Sequence, residues 1–300
     1  MRLALALALC LLLGPGAAAA GDDDLAKFAF GREQTPSPQA PAAIGSYSRG
    51  CLAGAVALPA DGPSFQAMRL SRNRRYGHPA LVGFVKELAA AAPVLGLRGL
   101  LVGDLSQPRG GPMLSGHSSH QIGLDADIWF ADMPEPRLSE EERETVPFLS
   151  MLNADSSAVA PEKFTAPFAR LLRHAARDER VARIFVHPLL KRSLCAWETP
   201  TADRAWLGKI RPWYGHYKHF HVRLDCPRGA RWCRGQRPPP AGDGCGAPLD
   251  YWFTDAPYTP RPGARKKLPL TMARMPRACR NVLSAVLPVP RPPRPAPPDN

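Results

Sequence analysis

From Leu124 to Ile128 the chain alternates strictly. Leu124, Ala126 and Ile128 fall on one face of an extended segment, and Asp125 and Asp127 fall on the other. From His219 to Leu224 the same alternation sets Phe220, Val222 and Leu224 against His219, His221 and Arg223. Both stretches predict strands with an apolar face for the core and a polar face free for chemistry. Apolar and small residues at helical spacing predict a helix over 79–92, with Pro79 at its start and Pro93 at its end. A second helix is predicted over 164–180, where Phe168, Leu171, Leu172 and Ala175 share a face. Gly99–Gly103 and Arg183–Val186 read as short strands. Strands separated by helices and many loops imply an α+β domain, without internal repeats.

The ends of the chain depart from this patterning. Residues 1–20 hold Arg2, an apolar run from Leu3 to Leu13, a Gly-Pro-Gly break and four alanines, which is the pattern of a secretory signal. The run is too short to anchor the chain across a bilayer, and no later segment approaches 18 uninterrupted apolar residues, so no membrane span is expected. Residues 21–50 read as a lead-in, residues 51–285 as the folded domain, and residues 286–300 as a Pro-rich, polyproline-II tail. Thirty-five prolines exclude a helical bundle or coiled coil. Of seven cysteines, Cys10 lies in the signal. Cys51, Cys195, Cys226, Cys233, Cys245 and Cys279 remain, an even number that in an exported chain implies three disulfides with 15 possible connectivities. The net charge of +13 makes acidic partners natural. Export and the lack of a recognisable nucleic-acid module argue against nucleic acid.

Five of the eight histidines sit in two short stretches, Ser115–Phe130 and His216–Leu224. If the two strands are neighbours, imidazoles and carboxylates converge on one face. That donor set suits Zn²⁺, and His120, Asp127 and His221 supply two nitrogens and one oxygen, leaving a position for water. Such an ion lowers the pKa of water toward about 7 and polarises a scissile carbonyl, while a nearby imidazole moves the proton to the leaving amine. Asp125 reads either as a hydrogen-bond acceptor behind a ligand imidazole or as a structural residue. His78, His174 and His187 stand alone and are read as ordinary hydrogen-bonding or surface residues.

His120-x6-Asp127 followed by His219-Phe220-His221 resembles the signature of the zinc peptidases that include lysostaphin-type enzymes, D-alanyl-D-alanine metallopeptidases and the hedgehog domain. Within that group the segments SGHSSHQIGLDADIWF, RIFVHP and RPWYGHYKHFHVRLDCP are most similar to the penicillin-insensitive murein endopeptidase family. The resemblance implies a small central antiparallel sheet carrying the zinc site, flanked by helices and long disulfide-tied loops. It implies zinc on His120, Asp127 and His221, with His117 close by as a further ligand. His219 becomes the general base, and His216 stabilises the oxyanion or orients the water. It also implies the pairs Cys51–Cys279, Cys195–Cys245 and Cys226–Cys233.

The implied substrate is the D-alanyl-diaminopimelate cross-link of periplasmic peptidoglycan, cut without the serine that β-lactams acylate. The family's second-site motif Asp-x-x-His is here Asp155-Ser-Ser-Ala158, so Asp155 is a second-site ligand without its histidine. Lys218 stands where the dipeptidase branch carries Glu, which points away from free dipeptides. Trp213, Tyr214 and Tyr217 flank His216 and are candidates to line a substrate groove. The alternatives are a D-Ala-D-Ala carboxypeptidase on the same scaffold and a non-catalytic, zinc-containing wall-binding module.

Overall fold

The structure is a computed structural model that describes residues 25–259 and 268–286. The expected signal, 1–20, and residues 287–300 of the expected tail lie outside the described residues. The chain opens with α1 (Ala26–Gly31) and a hairpin of β1 (Ala42–Ser46) and β2 (Arg49–Ala53). Four short strands follow: β3 (Val56–Ala57), β4 (Asp61–Gly62), β5 (Phe65–Ala67) and β6 (Tyr76–Gly77). Next come α2 (Pro79–Ala91), β7 (Leu100–Val102), β8 (Asp125–Asp132), α3 (Glu140–Thr145) and α4 (Ala166–Arg177). The second half holds β9 (Val181–Val186), α5 (Pro188–Trp197), α6 (Ala205–Lys209), β10 (Ile210–Pro212) and β11 (His219–Leu224). Two short helices come last among the described residues, α7 (Ala247–Asp250) and α8 (Ala278–Ser284).

The main sheet has seven strands in the order β10-β9-β11-β8-β7-β5-β4. Its centre, β9-β11-β8-β7, is antiparallel. Toward the edges, β10 runs parallel to β9 and β5 parallel to β7. The sheet is therefore wider than the small antiparallel one expected, and mixed. The added strands are only two or three residues long, too short to display a period of two in the sequence.

The apolar face of the central strands is the core. Ala126, Ile128 and Phe130 of β8 join Phe220, Val222 and Leu224 of β11 in one cluster with Phe84 and Leu88 of α2, Leu171 and Leu172 of α4, and Trp206 of α6. The Phe130 ring meets those of Phe164, Phe168 and Phe220 at 5.4–5.8 Å. Pro79 sits at the first turn of α2, and the His78 ring accepts from the Ala80 amide at 3.2 Å. His187 caps α5 in the same way, accepting from Leu189 N–H. Two of the lone histidines are thus helix caps.

Residues 25–50, read from sequence as a lead-in, carry α1 and β1. Ala26, Phe30 and Ile44 form a second core with Cys51, Met275, Cys279 and Val282. Cys51–Cys279 joins β2 to α8, and the guanidinium of buried Arg109 donates to the carbonyls of Val282, Leu283 and Ala285. The remaining disulfides are Cys195–Cys245 and Cys226–Cys233, so the pairing is the one the resemblance implies. Among the described residues, no helix is long and apolar enough to cross a membrane.

Candidate metal centre

Strand register builds the site. β11 lies antiparallel to β8 with His221 directly opposite Asp127 and Arg223 opposite Asp125. Directly opposed side chains share a face and approach closely. His120 arrives from the loop before β8, in a left-handed conformation (φ 64°) unusual for a residue with a side chain. Its carbonyl is held by the Ser106 hydroxyl at 2.6 Å, and its amide donates to Asp125 Oδ2 at 3.0 Å. Gly123 makes the turn into β8 possible. Its φ is +69°, and a Cβ there would sit 2.4 Å from Leu52.

Three ligand-type atoms converge at the centre. His120 Nε2 lies 3.2 Å from His221 Nδ1 and 3.4 Å from Asp127 Oδ1, and His221 Nδ1 lies 3.2 Å from the same oxygen. Bonds of 2.0–2.1 Å to tetrahedral zinc require ligand separations of about 3.3 Å, so this triangle fits one face of such a tetrahedron.

Proton placement decides what the triangle wants. His120 Nδ1–H donates to the Leu105 carbonyl at 2.6 Å, and His221 Nε2–H donates to Asp125 Oδ1 at 2.9 Å. With both rings neutral, as metal ligation requires, each turns a lone pair toward the other and toward Asp127. Asp127 Oδ1 is buried without a hydrogen-bond donor. Three buried acceptors facing one point is an arrangement that a cation completes and a water cannot fully satisfy.

Asp127 organises four imidazoles. Its Oδ1 faces His120 and His221, while its Oδ2 lies 3.5 Å from His117 Nδ1 and 3.6 Å from His219 Nε2. Ligand atoms of His117, His120 and Asp127 also gather within 4.8 Å. His117 is held from behind, its Nε2 on Asp104 Oδ2 at 3.0 Å. Asp104 itself is buried between Arg74 at 3.0 Å and Arg72 at 3.3 Å. Burial alone would raise the Asp104 carboxyl, but the His117 hydrogen bond and the two guanidinium charges outweigh it and hold it at about 2. Burial opposes ionisation of Asp125 too, and the Arg223 guanidinium and the His221 hydrogen bond overcome it, keeping that carboxyl well below the carboxylate range.

His216 and His219 stand on the open side, with ring centres 5.1 Å apart. Burial pushes the His216 ring down to about 3, and burial also lowers His219. Both are neutral at pH 7. His216 Nδ1–H donates to the Tyr214 carbonyl at 3.0 Å, which leaves its Nε2 an acceptor. A small cavity of about 70 Å³, lined in part by Arg72, Asp104, His117, Trp129 and His219, opens beside Asp127.

A model of the penicillin-insensitive murein endopeptidase family matches residues 43–284. The chain belongs to that family. Proteins named penicillin-insensitive murein endopeptidase are similar to it from Haemophilus influenzae (43% identity over 242 residues, 81% of this chain and 82% of the relative) and Klebsiella pneumoniae (40% over 240, 80% and 85%). A third is that of Salmonella heidelberg, 41% identical over 248 residues, 83% of this chain and 88% of the relative. Membership in a peptidase family makes the chain an enzyme.

In this family member the sequence-predicted residues separate into three groups. His117, His120, Asp127, His219 and His221 come together around Asp127, with His216 beside them. Asp125 takes the first of its two readings, as the acceptor behind His221. Asp155 stays apart on an exposed loop, where its Oδ1 accepts from the Ser157 amide at 3.0 Å and hydroxyl at 2.7 Å. Among the described residues, no ion pair or hydrogen bond joins Asp155 to a site histidine. Sequence reasoning missed Asp104, Arg72 and Arg74. The only signal for Asp104 is its position just past the buried strand Leu100–Val102.

Proposed function

We propose that this chain is a periplasmic, zinc-dependent murein endopeptidase that hydrolyses the D-alanyl-diaminopimelate cross-link between peptide stems. The observation that carries the reading is the convergence of His120 Nε2, His221 Nδ1 and Asp127 Oδ1 on one donor-free point, with two neutral imidazoles beside it. His120, Asp127 and His221 hold the ion in this reading, and His117 is the further ligand. When bound, zinc supplies Lewis acidity and brings water within reach of deprotonation at neutral pH. Three disulfides and the signal pattern at residues 1–20 support export.

The chain's own residues do the rest. His219 is the general base, because burial keeps it neutral and able to accept a proton at pH 7. It then returns that proton to the leaving amine. His216 takes the water-orienting role rather than the oxyanion role. Its donor hydrogen is committed to the Tyr214 carbonyl, so its Nε2 is left as an acceptor. Asp125 and Leu105 O fix the tautomers of the two ligand imidazoles.

Metal analysis of the purified mature protein, run beside mass analysis of digested cross-linked muropeptide dimers, tests the proposal. The expected result is about one zinc per chain on the three-ligand logic of catalytic sites, with dimers converted to monomers. Release of free D-alanine with cross-links intact would sink the endopeptidase reading. We expect His219→Ala to bind zinc normally and to lose kcat by about a thousandfold. Full activity in that variant would show that the base lies elsewhere.

A further inference from the structure

An aromatic ledge stands outside the reactions assigned above. Trp213, Tyr251, Phe253 and Tyr258 are all exposed, with Trp213 at 54% and Tyr258 at 56%. Large rings left open together on a folded chain mark a binding surface. The Trp213 ring lies 5.8 Å from Trp252, and Tyr258 packs at 4.5 Å on Tyr214. The ledge is built rather than loose. The Tyr214 hydroxyl donates to the Trp252 carbonyl, the Arg192 guanidinium covers the Phe253 ring at 3.4 Å, and Cys195–Cys245 ties α5 to the segment leading into α7.

The ledge is continuous with the metal centre. Tyr214 supplies the carbonyl that fixes His216. The Phe185 ring bridges the two regions, 5.3 Å from the His221 ring and 6.2 Å from Trp213. The Trp213 ring centre is therefore within about 11.5 Å of a ligand imidazole. A stem peptide of three or four residues extends roughly 10–14 Å. A cross-link held at the metal centre thus leaves the ledge within reach of the sugar to which its stem is attached.

We propose that this ledge is a glycan subsite that binds the sugar strand of the polymer through ring stacking, with Trp213 as its principal platform. Pyranose rings carry apolar C–H faces that stack on indole and phenol rings, and their hydroxyls stay in water. The inference rests on the murein reading for its substrate. It adds a second recognition element, so that a polymer is seated by its sugar as well as its peptide.

The test compares three probes on the full mature chain: intact cross-linked murein, a sugar-free cross-linked peptide dimer, and glycan strands stripped of peptide. For Trp213→Ala we expect kcat/KM on intact murein to fall about tenfold, the order of one lost aromatic stacking contact. Activity on the sugar-free dimer should be unchanged, and Trp213→Phe should restore most of the loss. Binding of stripped glycan should weaken in Trp213→Ala and in Tyr258→Ala. Equal losses on both peptide-bearing substrates, or no loss on either, would overturn the subsite. Failure of the wild type to bind stripped glycan would overturn it as well. A wild type that binds stripped glycan but cuts no cross-link would refute the proposed reaction while supporting the ledge.

Discussion

Replacing Asp125 by Asn is the sharpest test of how the metal centre is held. The carboxylate is fully buried and accepts from three donors. Oδ1 takes His221 Nε2–H at 2.9 Å and Arg223 Nε–H at 2.6 Å, and Oδ2 takes the His120 amide at 3.0 Å. An amide of the same shape has one acceptor oxygen and one NH₂. With its oxygen at the Oδ1 position, the NH₂ meets the His120 amide donor to donor. Reversed, it meets both His221 and Arg223. Either way the negative charge beside Arg223 is gone. Losing one charge-assisted bond costs about 2 kcal/mol, and stranding a buried charge raises the total to about 3–5 kcal/mol. His221 loses the partner that fixes its tautomer, so the lone pair at Nδ1 is no longer assured. We therefore expect zinc affinity to fall roughly ten- to a hundredfold. Competition against a chromophoric chelator reads the affinity, and urea unfolding of the metal-free protein reads the stability. A destabilised variant that binds zinc as tightly as wild type would refute the claim that Asp125 sets the ligand tautomer.

Other outcomes follow from the same geometry. Asp127→Asn should abolish tight zinc binding, yet leave the metal-free protein at pH 8 at least as stable as wild type in urea, because a buried oxygen without a donor becomes an amide that can donate to His120 or His221. A large loss of metal-free stability would contradict this. Burial pushes the Lys191 ammonium, which donates to the Leu207 and Asp243 carbonyls, down to about 7. Its folded pKa is then below its unfolded one of about 10.5, so the unfolded chain binds more protons between these values and stability rises with pH from about 7 to 10.5. Lys191→Met should flatten that slope in urea midpoints, and a slope unchanged by the substitution would place the titration elsewhere. The double variant Cys51→Ser/Cys279→Ser removes a cross-link between residues 228 apart, and unfolding should show a loss of about 4 kcal/mol. A loss under 1 kcal/mol would mean that the Arg109 bonds to α8 hold that end alone.

What was legible in the sequence follows from which physical constraints leave a trace in residue type. The strands β8 and β11 are long enough for a period of two to show, and their apolar and polar faces fall as the alternation requires. The helix expected over 79–92 is observed over Pro79–Ala91, because a proline stands at each end of the apolar pattern. The one expected over 164–180 is shorter, Ala166–Arg177. Asp178 is extended and turns its carboxylate onto Arg180 at 2.6 Å, which ends the helix before the apolar spacing does. The outer strands β4, β5 and β10 left no trace, since two or three residues display no period. The places of β5 and β10 in the sheet depend on β7 and β9, some thirty residues away in sequence.

The same division holds inside the metal centre. Metal-ligating side chains come from a few residue types, so the proposed ligands His120, Asp127 and His221 announce themselves by residue type and spacing. The groups that prepare them face no such restriction. His120 is oriented by a backbone carbonyl, that of Leu105, which any residue could supply. His117 is backed by Asp104, a lone acid at the end of a strand, balanced by two arginines some thirty residues earlier. A pattern made of one common acid, a carbonyl and surface-type cations carries no signature until the fold brings it together. The proposed reaction was therefore readable from the candidate ligands, while the reason those candidates are poised, two fixed tautomers aimed at a carboxylate oxygen with no donor, belongs to the three-dimensional structure.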